Sequence, residues 1–161
     1  YKYDWIWNKT KGGGFALANK MPLKRHECLS VFYKKLPNYN PQKTKAPEHL
    51  IDRRKTINNS KSSSIVSPVQ KGAIRKKDDG TRFPTTSLNF SSVSMGKHPT
   101  QKPIPLMEYL IKTYTNENET VLDFTMGSGT TMLACKNLNR NGIGIEKDPQ
   151  YYAVAVARVD G

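Results

Sequence analysis

Asp123, Gly127, Gly129 and Glu146 are the residues of this 161-residue chain whose types and spacing suggest shared chemistry. Val121-Leu-Asp-Phe-Thr-Met-Gly-Ser-Gly-Thr-Thr131 reads as a buried strand end (Val121, Leu122), a carboxylate where that strand emerges, and a glycine turn. Glycine tolerates positive φ and lets a ligand approach the backbone. Thr130 and Thr131 then open an apolar helix running through Met132, Leu133, Ala134 and Leu138. Strand, glycine turn and helix N-terminus together make a cradle for a nucleotide-like cofactor. A phosphate-binding P-loop would need Lys where Thr130 stands, and a dinucleotide fingerprint would need a small residue where Met132 stands. For the glycines alone, an ordinary βα turn remains the competing reading.

The residues that follow narrow the choice. Asn141-Gly142 is expected to end the helix, since both accept the left-handed conformation. Gly142-Ile-Gly-Ile-Glu146 reads as a second short buried strand with a carboxylate at its end. An acidic residue about twenty positions after a glycine turn is placed to accept hydrogen bonds from ribose hydroxyls. Asp148-Pro149 supplies an N-cap and first-turn proline for a last helix expected to bury Tyr152, Val156 and Val159.

Asp123-Phe-Thr-Met-Gly-Ser-Gly-Thr-Thr131 resembles the D-P-F-x-G-S-G-T-T motif of the DNA amino-methyltransferases that use S-adenosylmethionine (SAM), with Thr125-Met126 where the pattern has its own variable residues and without the usual Pro after Asp. His98-Pro-Thr-Gln-Lys-Pro103 resembles the companion motif that shortly precedes it in one circular permutation of that family. Two motifs in this order are far more specific than either alone. The resemblance implies an α/β, Rossmann-like methyltransferase fold, partial here, with an inserted basic recognition region. It also implies SAM as cofactor: Asp123, Phe124, Thr125, Gly127, Ser128, Gly129 and Thr130 surround its methionine part, and Glu146 with Lys147 holds the ribose. His98, Thr100, Gln101, Lys102 and Pro103 close over it.

The positioning elements read as follows. Tyr1–Lys9 alternates aromatic and polar residues as a strand, Lys11–Gly14 reads as a flexible loop, and His26–Tyr33 reads as a second strand facing Leu29, Val31 and Tyr33 inward. Ile104–Thr115 carries a helical apolar face of Leu106, Met107, Leu110, Ile111 and Tyr114. Trp7-x-Lys9, Pro22, His26-Glu27 and Val31-Phe32 resemble the same family's central region, which carries the likeness over residues 1–42 and 83–159. Residues 1–42 and 96–161 are thus expected to form the partial catalytic domain, and 43–95 the target-recognition region.

The formal charge of +13 favours a polyanionic partner. Between Lys43 and Arg82, eleven Lys/Arg face four Asp/Glu. Within that segment Arg53, Arg54, Lys55, Arg75, Lys76 and Lys77 are the candidate contacts to double-stranded DNA. So polar a stretch buries little core and is expected to be disordered when free. No apolar run approaches the roughly 18 residues of a membrane span, so no membrane partner is expected. Cys28 and Cys135 lack metal-ligand spacing and read as buried thiols suited to a reducing cytoplasm. No metal site is expected.

The family's amine-activating loop, [D/N/S]-P-P-[Y/F/W], is missing: no Pro-Pro dipeptide occurs in the 161 residues. Asn40-Pro41-Gln42 lacks the second proline and the aromatic, and Asp148-Pro149-Gln150-Tyr151 reads as a helix cap. The chain is therefore expected to be the C-terminal part of a methyltransferase, inactive by itself. Its completion would come from a missing N-terminal part or a second copy.

Overall fold

A computed structural model describes residues 1–51 and 79–161, which separate into two compact units, 1–42 with 85–161, and 43–84. The recognition candidates Arg53, Arg54, Lys55, Arg75, Lys76 and Lys77 lie outside the described residues. The smaller unit contributes a two-residue antiparallel pair, β3 (Thr44–Lys45) and β4 (Thr81–Arg82), which follows β1 (Tyr3–Gly13) and β2 (Lys24–Val31) of the larger unit in the chain.

In the larger unit, β1 (Tyr3–Gly13) is the centre of a three-stranded sheet. It pairs antiparallel with β2 (Lys24–Val31) and parallel with β5 (Ser87–Asn89). Residues 85–95, of which Ser87–Asn89 join the sheet, cluster with the larger unit, whereas the sequence groups them with 43–84. The period-2 pattern of β1 points Trp5 and Trp7 to one face, where they pack with Leu88 and Leu106. Their indole N–H groups are satisfied inside that core: Trp5 donates to the Tyr114 hydroxyl at 2.6 Å and Trp7 to the Phe90 carbonyl at 2.8 Å. A buried indole without a partner would forfeit a hydrogen bond, so both contacts fix ring orientation.

Lys11–Gly14 is not a free loop. The ladder resumes across a shift, with Gly13 opposite Lys24, and a single 3-10 turn, Phe15–Leu17, closes the hairpin tip. β2 alternates as expected, but the same alternation turns Cys28 outward with Ser30, so it is exposed; only Cys135 is buried.

α1 (Ile104–Tyr114) joins the two halves of the core. Leu106, Tyr109, Leu110 and Tyr114 pack on the tryptophans, while Ile111 and Met107 pack on Ala134 and Cys135 of α2 (Thr130–Asn137). Asn40 latches the C-terminal end of α1, donating from its amide to the Thr115 carbonyl at 3.1 Å and from its backbone to the Thr113 carbonyl at 2.7 Å. This satisfies carbonyls that a helix end leaves open.

β6 (Thr120–Asp123) and β7 (Asn141–Gly144) form a parallel pair linked by α2, and α3 (Pro149–Asp160) follows. The left-handed turn after α2 falls at Asn139 (φ 56°), so Asn141-Gly142 opens β7 instead of ending the helix. The two strands are not buried on both faces: Leu122, Ile143 and Ile145 are more than half exposed on the face opposite α2. On α3 the buried residue is Ala155, and Tyr152 and Val156 are exposed at 50% and 40%. The reason is close approach: α3 seats Ala155 directly on Gly129, and this narrow contact lifts the larger side chains to the rim.

Candidate functional site

Asp123 leaves β6 with both carboxylate oxygens engaged. One accepts the Thr125 N–H at 3.0 Å and the other the Thr131 hydroxyl at 2.6 Å. The turn that follows needs its glycines for different reasons. Gly127 (φ 54°) lies under the His98 ring, whose nearest atoms are 3.4 Å from where a Cβ would sit. Gly129 (φ 74°) has Ala155 Cβ only 2.8 Å from that position, so any side chain there would collide with α3. Positive φ disfavours a side chain at both.

Glu146, just past β7, ties the turn to the second strand. Its carboxylate accepts the Asp148 N–H and the Gly127 N–H, both at 2.9 Å. The Asp148 N–H foremost, then the Gly127 N–H, hold this carboxyl below the usual carboxylate range. Two of its lone-pair positions are thereby used, and the others stay open to further donors. Asp148 caps α3, accepting the Gln150 N–H at 2.8 Å.

The His98–Pro103 segment forms the opposite wall. His98 Nδ1 accepts the Thr100 N–H at 3.2 Å, and its ring meets Tyr151 edge-on with centroids 4.2 Å apart. The Gln101 Oε1 atom accepts the Lys97 N–H at 2.9 Å and the Ser128 hydroxyl at 3.0 Å, fastening this wall to the glycine turn. Lys102 pairs with Glu27 of β2 at 3.0 Å, and Lys9 of β1 pairs with the same carboxylate. Burial opposes ionisation of Glu27, but the hydrogen bonds from Lys9 and Lys102 outweigh it and hold the carboxyl low.

Between these walls lies a cavity of about 270 Å³. Of the residues expected at a cofactor, it is lined by His98, Thr100, Gln101, Lys102, Asp123, Thr125, Gly127, Ser128 and Thr130. Pro103 is buried as the N-cap of α1, Phe124 is exposed, and Gly129, Glu146 and Lys147 stand outside the lining, Glu146 bonded to it through Gly127. Sequence reasoning missed Met107, Met126 and Thr131, which complete the lining, and Arg158 behind it. Arg158 donates to the Ser128 carbonyl, to the Ser128 hydroxyl at 3.0 Å and to the Thr130 hydroxyl at 3.3 Å. The available signal was its spacing: Ala155 and Arg158 are three apart on one helical face. Among the described residues, no group of three His, Cys, Asp or Glu is placed to hold a metal ion.

A carboxylate at a strand end, a left-handed glycine turn and a second-strand carboxylate bonded to that turn thus stand together against a histidine-led wall. Residues 1–157 match the DNA methylase family. The chain belongs to that family. It is 36% identical over 156 residues to the type II methyltransferase M.HindIII of Haemophilus influenzae, and 29% identical over 163 residues to M.HpaI of Haemophilus parainfluenzae. These matches take in 96% and 99% of this chain but 46% of each relative, so the chain spans about half the length of the methyltransferases it matches. Among solved structures, a complex of M1.HpyAVI with SAM superposes with a TM-score of 0.61 at 30% identity, covering 99% of this chain and 62% of that one. The cytosine-N4-specific PvuII DNA methyltransferase superposes at 0.65 with 19% identity, covering 96% of this chain and 49% of that one. The fold is therefore the partial α/β, Rossmann-like fold of these methyltransferases.

Proposed function

We propose that this chain is the cofactor-binding and DNA-recognising portion of a SAM-dependent methyltransferase. Its target is an exocyclic amine of adenine or cytosine in DNA, with adenine N6 the preferred assignment. The observation that carries the proposal is the single cavity that Asp123, the Gly127–Thr130 turn and the His98–Lys102 wall enclose, with Glu146 bonded to the turn.

The donor set suits this cofactor. Its amino-acid end is zwitterionic, and the cavity offers a carboxylate, hydroxyls, a side-chain amide and a lysine, with the thioethers of Met107 and Met126 for its apolar part. When bound, SAM supplies an electrophilic methyl group on a sulfonium. Asp123, already fixed by Thr125 and Thr131, accepts from the ammonium. Glu146 accepts from ribose hydroxyls with the lone pairs its backbone donors leave free. His98 and Gln101 hold the wall against the turn and exclude water. Arg53, Arg54, Lys55, Arg75, Lys76 and Lys77 are the proposed contacts to duplex DNA.

No residue of this chain is assigned to activation of the amine. A delocalised exocyclic amine needs acceptors aimed at its hydrogens, and the Pro-Pro loop that supplies them in the family does not occur in these 161 residues. A second reading, which the net charge of +13 supports, is a DNA-binding module that keeps the fold as a scaffold. Titrating the chain with SAM and assaying duplex DNA binding separates the two. Saturable SAM binding supports the first reading; DNA binding without SAM binding supports the second.

A further inference from the structure

The β1–β2 hairpin carries a surface that the cofactor site does not use. From Lys9 to Arg25 the chain has five Lys/Arg and no Asp/Glu. Lys9 is committed to Glu27 at the hairpin root, and Arg25 donates to the Thr10 carbonyl at 3.2 Å. Lys11, Lys20 and Lys24 are exposed and form no ion pair among the described residues. Every residue from Gly13 to His26 is exposed, including four large apolar side chains: Phe15 at 70%, Met21 at 54%, Leu17 at 44% and Leu23 at 36%. A monomer gains nothing by holding a phenylalanine in water at the end of a projecting ribbon, so the combination marks a contact surface.

We infer that this hairpin tip is a DNA finger, with Lys11, Lys20 and Lys24 against phosphates and Phe15 pressed into a groove or base step. The inference rests on the reading of DNA as the substrate. Charge selects the occupant: an unpaired cationic ribbon without a carboxylate suits a polyanion, and cations flanking an apolar wedge suit a duplex. Position agrees. Lys102, which lines the cofactor cavity, is paired to Glu27 at the hairpin root, and the strand runs from Lys9 to Gly13, about 13 Å at the usual rise. That reach is well within one turn of duplex, about 34 Å. DNA with a base at the cavity therefore has flanking phosphates within range of the tip.

The test is duplex binding by the full chain, followed by fluorescence anisotropy across a salt series. The combined variant Lys11→Ala/Lys20→Ala/Lys24→Ala is expected to flatten the slope of log affinity against log salt by about 2.7, or 0.9 per lost phosphate contact. Phe15→Ala is expected to weaken binding roughly fivefold or more with the slope unchanged. All four side chains are exposed, and an unchanged circular dichroism spectrum confirms the fold. Wild-type slope and affinity in both variants overturn the finger while leaving DNA as the substrate. A wild-type chain that binds no duplex overturns both.

Discussion

At Gly129 two independent constraints meet, left-handed backbone and contact with Ala155. The Gly129→Ala variant is expected to lose about 2–5 kcal/mol of stability, combining left-handed strain of roughly 1–2 with overpacking of roughly 1–3. Adding Ala155→Gly removes the 2.8 Å contact but leaves the Ala155 Cα at 3.1 Å, so in denaturant unfolding the double variant should lose less stability than the sum of the two single variants. Glu146 gives a pH-dependent counterpart. Its carboxyl is held low in the fold, chiefly by the Asp148 N–H and then by that of Gly127. Folding therefore favours the ionised form. That stability is complete above the ordinary glutamate pKa of about 4.3 and is lost as pH falls through the lower folded value. Unfolding measured between pH 2 and 6 should depend less steeply on pH in Glu146→Gln than in the wild type.

Among elements, the Lys9–Glu27–Lys102 cluster joins β1, β2 and the segment before α1. Glu27→Gln should barely move the unfolding midpoint, because partly exposed pairs are worth about 1 kcal/mol or less. It should weaken SAM binding by up to about fivefold through loss of the Lys102 anchor, by the same magnitude; an unchanged titration would leave the cluster purely structural. Much of this framework was legible in the sequence. Trp5 and Trp7 alternate as a strand requires, the apolar face of α1 is where its period puts it, and Asp148-Pro149 caps α3. What failed shares one cause. Periodicity says which side chains share a face but not what covers it, so Tyr152, Val156, Leu122 and Cys28 were expected inside and lie outside. Gly142 read as a helix end and strand start and Gly144 as a strand residue, whereas the structure gives their reason, the Met132 and Met126 sulfur atoms packed where a Cβ would be. For Arg158 the helical spacing from Ala155 showed its face but not its partners, Ser128 and Thr130, which are about thirty residues away in sequence.

At the scale of the whole molecule, a cofactor half and a cationic surface occur in one basic chain of net charge +13. The two-strand sheet of β6 and β7 supports the glycine turn from one face only, with Leu122, Ile143 and Ile145 open on the other. That turn is nevertheless held from three sides, by Gln101, Glu146 and Arg158, all within this chain. The 161 residues should therefore bind SAM by themselves. The most direct measurement is calorimetric titration of the folded chain with SAM, beside Asp123→Ala and Gly127→Ala. One saturable site in the wild type, lost in both variants while their circular dichroism is retained, is the expected result. A folded wild-type chain that takes up no SAM, or variants that bind it equally well, would contradict the assignment.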